Sequence, residues 1–362
     1  MTVSKKRVVI VGGGCAGIQL CSALVKKKKL NPQVYTLTLI TARPFFVHLP
    51  ATIRTTTTGE GSLEERIFIP YSNLFKDDLG EVKIGRVKSI QGRKTGGGQL
   101  VLLDGSSSTT MSSCWRLGTL GALKHVQEWR QKFEHAKSIV IVGGGITGVE
   151  FAGEIRDFHP KTDVTLVHPR TQLLNEAYPD KFRKRVHDDI AFRGVGVVWN
   201  DYIDNLASVN GSVTTRSGHT IQGDLVLPCY GGRPATDFVS ALDPAALDDH
   251  GYIRVKPTLE LISFLGIFAM GDAISWPEVK NVIRARAHAD IVASNIIAYL
   301  NNSAALTYKG KIEMVVVTNG RTHGVSFFGV LWGIVLGNWF SALVKGRELL
   351  VTATRRDLGF KS

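Results

Sequence analysis

Six glycines carry the first hint of chemistry. Gly12, Gly14 and Gly17 lie in RVVIVGGGCAGIQL at 7–20, and Gly143, Gly145 and Gly148 lie in SIVIVGGGITGVEF at 138–151. Both sets have the spacing GxGxxG between an apolar β-branched run and a helix-like run. The first glycine of such a set permits a tight turn, and the second lets backbone approach a pyrophosphate. The third lets the helix pack close to its strand, and the helix N-terminus attracts the anion. Two loops of this kind predict two bound dinucleotides.

The elements that must position these loops follow from the same runs: a buried strand before each and a helix after it. Each unit should also place an acid near the end of its second strand, to hold a ribose hydroxyl. The chain departs from that twice. The first unit ends YTLTLITARP, with Thr41 near the expected place, and the second ends DVTLVHPR, with His168 and Arg170. With no carboxylate to repel a 2′-phosphate and Arg170 close by, the second site should accept NADPH as well as NADH. The fold class is therefore α/β, with two Rossmann-like dinucleotide-binding domains.

Further stretches resemble a family. FLGIFAMGDAISWP at 264–277 resembles the second flavin motif of the two-dinucleotide oxidoreductases, and DLVLPCYGGRPATDF at 224–238 resembles the return from their NAD(P) insert. GGGITGVEFAGEI, RARAHADIVASNI and VKGRELLVTATRRDLG resemble the apoptosis-inducing-factor-like and ferroptosis-suppressor-like group. That resemblance implies an FAD-containing NAD(P)H:quinone oxidoreductase over nearly the whole chain. It implies that Asp272 binds the ribityl chain, that Arg54 and Val87 touch FAD, and that Glu150 helps hold the nicotinamide nucleotide. Lys345 would lie near the quinone end of the site. It also implies a layout. The FAD domain takes residues 1–117 and 236–305, the NAD(P) domain is inserted at 118–235, and an α+β cap takes 306–362. Within the first domain, VKIGRVKSIQGRKTGGGQLVLLDGS reads as a small antiparallel meander with GGG as a turn.

Read from the residues alone, several of these positions keep a plainer alternative. Arg54 and Glu150 could be solvated, Val87 could be core, and His48 and His288 read as satisfied structural histidines. Hydride transfer between two stacked cofactor rings needs no obligatory acid or base from the protein. Disulfide reductases carry a cysteine pair on the helix after the first flavin unit, and RPFFVHLPATIR has none. A direct route from flavin to acceptor is favoured.

Cys15, Cys21, Cys114 and Cys229 form neither a CxxC pair nor a zinc-type cluster, which fits a reducing compartment. KKRVVIVGGG runs from charge straight into strand and loop, so no secretory signal is expected, and Thr at position 2 excludes the myristoylation pattern. The net charge is +13, with basic runs at Lys26 to Lys29 and Arg183 to Arg185. Such charge reads as a solvated face, or as attraction to anionic lipid; nucleic acid is the weaker partner, because no zinc-finger or RNA-recognition signature accompanies it. VSFFGVLWGIVLGNWFSALV at 325–344 has no charge and the length of a bilayer span, but Gly, Ser and Asn dilute it. It reads as a segment partly buried against the flavin domain, or as an interfacial anchor or quinone entrance. A cytoplasmic enzyme, peripheral on a membrane or lipid droplet, is the expectation. The competing readings are a non-enzymatic or impaired flavoprotein that binds DNA, membrane or a partner through its basic surface, and a reductase for another acceptor such as ferredoxin.

One stretch fits none of this. TTMSSCWRLG at 109–118 stands where the family has a strand ending in Ala-Thr-Gly, as in YDVLVLATG. Met and Trp have single codons; with the serines taken as TCN, Arg116 as CGN and Leu117 as CTN, shifting the frame back by one base then fixes a Val, a Leu and an Ala. The remaining codons permit YDVLVLATG in order. The stretch reads as an out-of-frame version of that strand, from a mispredicted splice junction, or else as a genuine divergent loop; Cys114 and Trp115 receive no chemistry, and weak flavin retention is the expected defect if the chain is made as written.

Overall fold

Strand β1 (Lys6–Val11) runs into the first glycine loop, helix α1 (Cys15–Lys27) leaves it, and β2 (Tyr35–Thr41) returns in parallel beside β1. The computed structural model describes residues 5–27, 30–75, 79–103 and 111–360, without the side chains of residues 111–117. Val, Ile, Leu and Thr dominate both strands, as pleated and largely covered positions favour. α1 turns Ile18, Leu20 and Leu24 inward and packs on the helix Val282–Leu300. Gly80–Ile84 extends the parallel sheet beyond β2.

The second unit repeats the plan with one strand more. Ser138–Val142 lies between Asp163–His168 and Leu225–Pro228, and Gly196–Trp199 closes the far side. All five residues of Ser138–Val142 are buried. β1 has only β2 as a strand partner among the described residues, and Val9 and Val11 are 39% and 37% exposed.

A three-stranded antiparallel sheet, Met314–Asn319, His323–Phe328 and Ile334–Leu336, follows the helix Val282–Leu300. It packs on the helix Ile146–Phe158. Gly153 makes that contact possible, because a Cβ there would stand 2.3 Å from the Gly320 nitrogen. The uncharged run at 325–344 is broken into two strands, the short helix Asn338–Ser341 and a π-helical turn, Ala342–Gly346. Among the described residues no helix is long and apolar enough to cross a membrane.

Two local expectations change. Val87–Gly92 and Gly98–Leu102 form the antiparallel hairpin, but VKI belongs to Gly80–Ile84 in the parallel sheet. TLGALKHVQEWRQKF, a helix-like run in the sequence, is helical as part of a longer helix that begins earlier and spans Met111–His135. Residues 104–110 of the stretch before it, like Lys28 and Lys29, lie outside the described residues.

Candidate active site

The two glycine loops are nearly the same object. Gly12 and Gly143 have φ of 101° and 115°, the left-handed region that favours glycine. A Cβ on Gly17 would stand 1.9 Å from the Gly12 carbonyl oxygen, and one on Gly148 would stand 2.0 Å from that of Gly143. Both third glycines are therefore required by close packing within the loop. The Cβ positions of Gly14 and Gly145 meet nothing within 4 Å, so each loop keeps open space where a pyrophosphate would approach. The residues present fit two dinucleotides.

The ends of the second strands support the loops from beneath. Tyr71 donates its hydroxyl to the Gly13 carbonyl at 2.6 Å, and a Cβ on Gly13 would collide with Tyr71 and Thr41. In the second unit His168 takes that place, its Nδ1 accepting from the Gly144 N–H at 3.0 Å. Burial pushes the His168 pKa down, so its imidazole is neutral at physiological pH. Arg170 is half exposed and pairs with Glu176 at 2.5 Å.

Glu150 and Lys345 meet. Lys345 Nζ lies 2.5 Å from Glu150 Oε1 and 3.3 Å from the Val316 carbonyl. Thr318 adds its N–H at 3.1 Å and its hydroxyl at 2.9 Å to the same carboxylate oxygen. Glu150 is buried one turn beyond the second loop, so its charge has a cation and two neutral donors in place of water.

One turn further along, Glu154 meets Arg54. The guanidinium donates through Nε and Nη2 to the two carboxylate oxygens, both at 2.7 Å, and through Nη1 to the Arg347 carbonyl at 2.9 Å. Burial raises the Glu154 pKa, and Arg54 opposes that rise. His48, which caps the helix Leu49–Thr57, lies with Nε2 2.6 Å from the Leu349 carbonyl. The helix Leu49–Thr57 thus holds two carbonyls just past Lys345, where Leu349 and Leu350 are left-handed at φ 49° and 63°. Glu154 lies within GGGITGVEFAGEI without having been given a role there, and Thr318 lies in none of the quoted stretches.

Asp272 follows Gly271 (φ 69°), whose N–H donates to His288 Nδ1 at 3.1 Å. Burial raises the Asp272 pKa, with Lys280 and His288 opposing. His288 Nε2 is 2.8 Å from Glu278, and burial pushes its pKa down to about 4. His48 is thus a satisfied histidine, whereas His288 is satisfied at Nδ1 only, because its buried Nε2 makes no hydrogen bond in spite of its nearness to Glu278. Val87 opens the hairpin, half-buried. Cys15, Cys21 and Cys229 are free thiols; burial pushes Cys15 up to about 11 and Cys229 up to about 12. Such thiols stay protonated and unreactive. The side chain of Cys114 lies outside the described residues.

A cavity of about 730 Å³ opens on the outer side of the Lys345 segment, lined by Arg54, Leu63, Phe158, Trp339, Leu343 and Arg347 among others. Trp339 is 72% exposed and Trp332, further along the same run, 98%.

The family profile described as pyridine nucleotide-disulphide oxidoreductase matches residues 6–289. FAD-dependent oxidoreductase FVFD30 of Flammulina velutipes is 38% identical over 312 residues, covering 82% of this chain and 97% of its own. Ferroptosis suppressor protein 1 of Xenopus tropicalis is 27% identical over 369 residues, covering 98% and 96%. Among solved structures, the sulfide:quinone oxidoreductase of Aquifex aeolicus shares the fold with a TM-score of 0.69 at 17% identity, over 97% of this chain and 90% of its own.

Proposed function

The chain belongs to the pyridine nucleotide-disulphide oxidoreductase family, and from that premise we propose that it passes electrons from NAD(P)H through FAD directly to a quinone-type acceptor, without a redox-active disulfide. It is an FAD-dependent oxidoreductase, and its cofactors are FAD and NAD(P)H. FAD supplies the two-electron exchange between hydride donor and acceptor.

The observation that carries the reading is the Glu150–Lys345 pair, one turn past the second loop. In this reading Gly12, Gly14 and Gly17 hold the FAD pyrophosphate, and Asp272 accepts from the ribityl chain while Val87 flanks the cofactor. Gly143, Gly145 and Gly148 hold NAD(P)H. Glu150, fixed by Lys345 and Thr318, orients the nicotinamide, so little ordering remains at the moment of transfer. Lys345 borders the acceptor end. Arg54, occupied by Glu154 and the Arg347 carbonyl, serves by positioning the Lys345 segment, where the sequence had suggested a flavin contact.

The domain layout follows the same reading, with residues 1–117 and 236–305 serving FAD, 118–235 serving NAD(P)H and 306–362 capping both. The cavity beside Leu343 and Trp339, which also carries Glu60, Arg66, Arg321 and Glu348, offers a mixed apolar and charged approach for an acceptor. Exposed tryptophans with a net charge of +13 support peripheral contact with an anionic membrane. On FAD-loaded protein, NADH and NADPH oxidation should be accelerated by short-chain quinones and not by ferredoxin. Absence of turnover with every quinone tried overturns the reading.

A further inference from the structure

We infer, resting on Asp272 as the contact for the ribityl chain, that His288 is a positioning residue for FAD, which acts through Nδ1 by fixing the Gly271–Asp272 turn. Asp272 is exposed and makes no hydrogen bond or ion pair among the described residues, so its carboxylate is free to accept from a ligand. The turn that carries it is held at both ends. The Gly271 N–H donates to His288 Nδ1 at 3.1 Å, and Lys280 Nζ donates to the Ile274 carbonyl at 2.6 Å. Gly271 is left-handed at φ 69°, and a Cβ there would stand 2.7 Å from that of Ala16, inside the first glycine loop. The turn therefore seats directly on the loop that takes the pyrophosphate. A shift at Gly271 would move Asp272 relative to that loop, and one dinucleotide has to reach both.

The imidazole is itself held from several sides. The helix Val282–Leu300 that carries it starts with Asn281, whose side chain accepts from the Arg284 N–H at 3.0 Å, and Arg284 Nη2 donates to Glu313 Oε2 at 2.8 Å. The Tyr308 ring stands edge-on to the imidazole with centroids 4.5 Å apart, and its hydroxyl donates to Glu278 Oε2 at 2.9 Å.

The two ring nitrogens differ. Because Nδ1 accepts, the neutral ring carries its proton on Nε2. That atom faces Glu278 Oε1 at 2.8 Å without an aligned hydrogen bond, and both atoms are buried. A buried ring left one hydrogen bond short costs stability that an apolar side chain would not. What the ring supplies in return is the acceptor at Gly271.

Asparagine and glutamine separate those nitrogens, since the Asn side-chain oxygen reaches the place of Nδ1 and the Gln carboxamide the place of Nε2. By titration of flavin fluorescence on the full chain, His288→Asn should bind FAD within about threefold of the parent, and His288→Gln and His288→Leu at least about tenfold more weakly. In the cofactor-free protein the Gly271 amide should be protected from hydrogen exchange in the parent and in His288→Asn, and exchange faster in the other two. Equal FAD affinity in all four chains, or a loss in His288→Asn as large as in His288→Gln, overturns the inference. Should His288→Leu fail to fold, the Asn and Gln chains alone decide. Asp272→Ala should also weaken FAD by at least about tenfold; parent-like affinity there would remove Asp272 from the site, a result read separately from the His288 series. No readout involves an acceptor, so failure of the quinone reading would leave all of them unchanged.

Discussion

Glu150 is buried, and Lys345 and Thr318 stand around its carboxylate in place of water. Glu150→Gln keeps the size and removes the charge, so it should lower kcat/KM for NAD(P)H by about tenfold or more while sparing FAD content. Lys345→Met leaves the charge without its cation and should cost about 3 kcal/mol in urea unfolding. An unchanged unfolding midpoint would show that the pair contributes nothing to the fold. Arg54 allows a pH test. Burial already raises the Glu154 pKa, and Arg54→Met removes the group that opposes the rise. The folded chain then holds that proton more tightly than the unfolded one, so stability falls as pH rises above the ordinary carboxylate range. The penalty of Arg54→Met should be largest at pH 7.5, about 3–5 kcal/mol, and clearly smaller at pH 5. Motif matching marked Glu150, Lys345 and Arg54 separately. Spacing within a chain carries no information about which distant side chains meet, so their partners Thr318 and Glu154 were illegible.

At the scale of elements, the glycine loops were the most legible feature, because backbone geometry demands a residue type at each position. Gly148→Ala should disrupt the loop itself, since its Cβ would meet the Gly143 carbonyl, and should lower the melting temperature of the cofactor-free protein. Gly145→Ala points into open space, so it should leave that melting temperature alone and weaken NAD(P)H binding by tenfold or more. A Gly145→Ala protein that binds NADPH normally would remove the nucleotide from this loop. The uncharged run at 325–344 was legible as apolar and ambiguous in form. Length and hydropathy describe a membrane span and a broken strand-turn-helix alike, and pairing with Met314–Asn319 decides between them. The early start of the helix Met111–His135 was equally hidden, because Ser, Cys and Trp are weak indicators of either state.

Across the whole molecule, charge and exposed aromatics combine. Trp332, Leu331 and Trp339 are exposed on a chain whose net charge is +13. The protein should sediment with vesicles rich in phosphatidylserine at low salt, less at 0.5 M salt, and several-fold less when Trp332 and Trp339 are both changed to Ser. Equal sedimentation with neutral vesicles would assign the contact to the apolar residues alone. The Glu150–Lys345 pair has one more consequence, and it concerns synthesis. Its partners are separated by 195 positions, and Arg54 reaches across 293 to the Arg347 carbonyl. At about 5–20 residues per second, roughly 10–40 s separate the emergence of Glu150 from that of Lys345. Through that interval the helix Ile146–Phe158 must wait on the ribosome with three carboxylates, of which Glu150 has no counter-charge yet made. The nucleotide units can form in order as they emerge, but the site closes last. A nascent chain stalled before Lys345 would therefore offer Glu150 to solvent or to a chaperone.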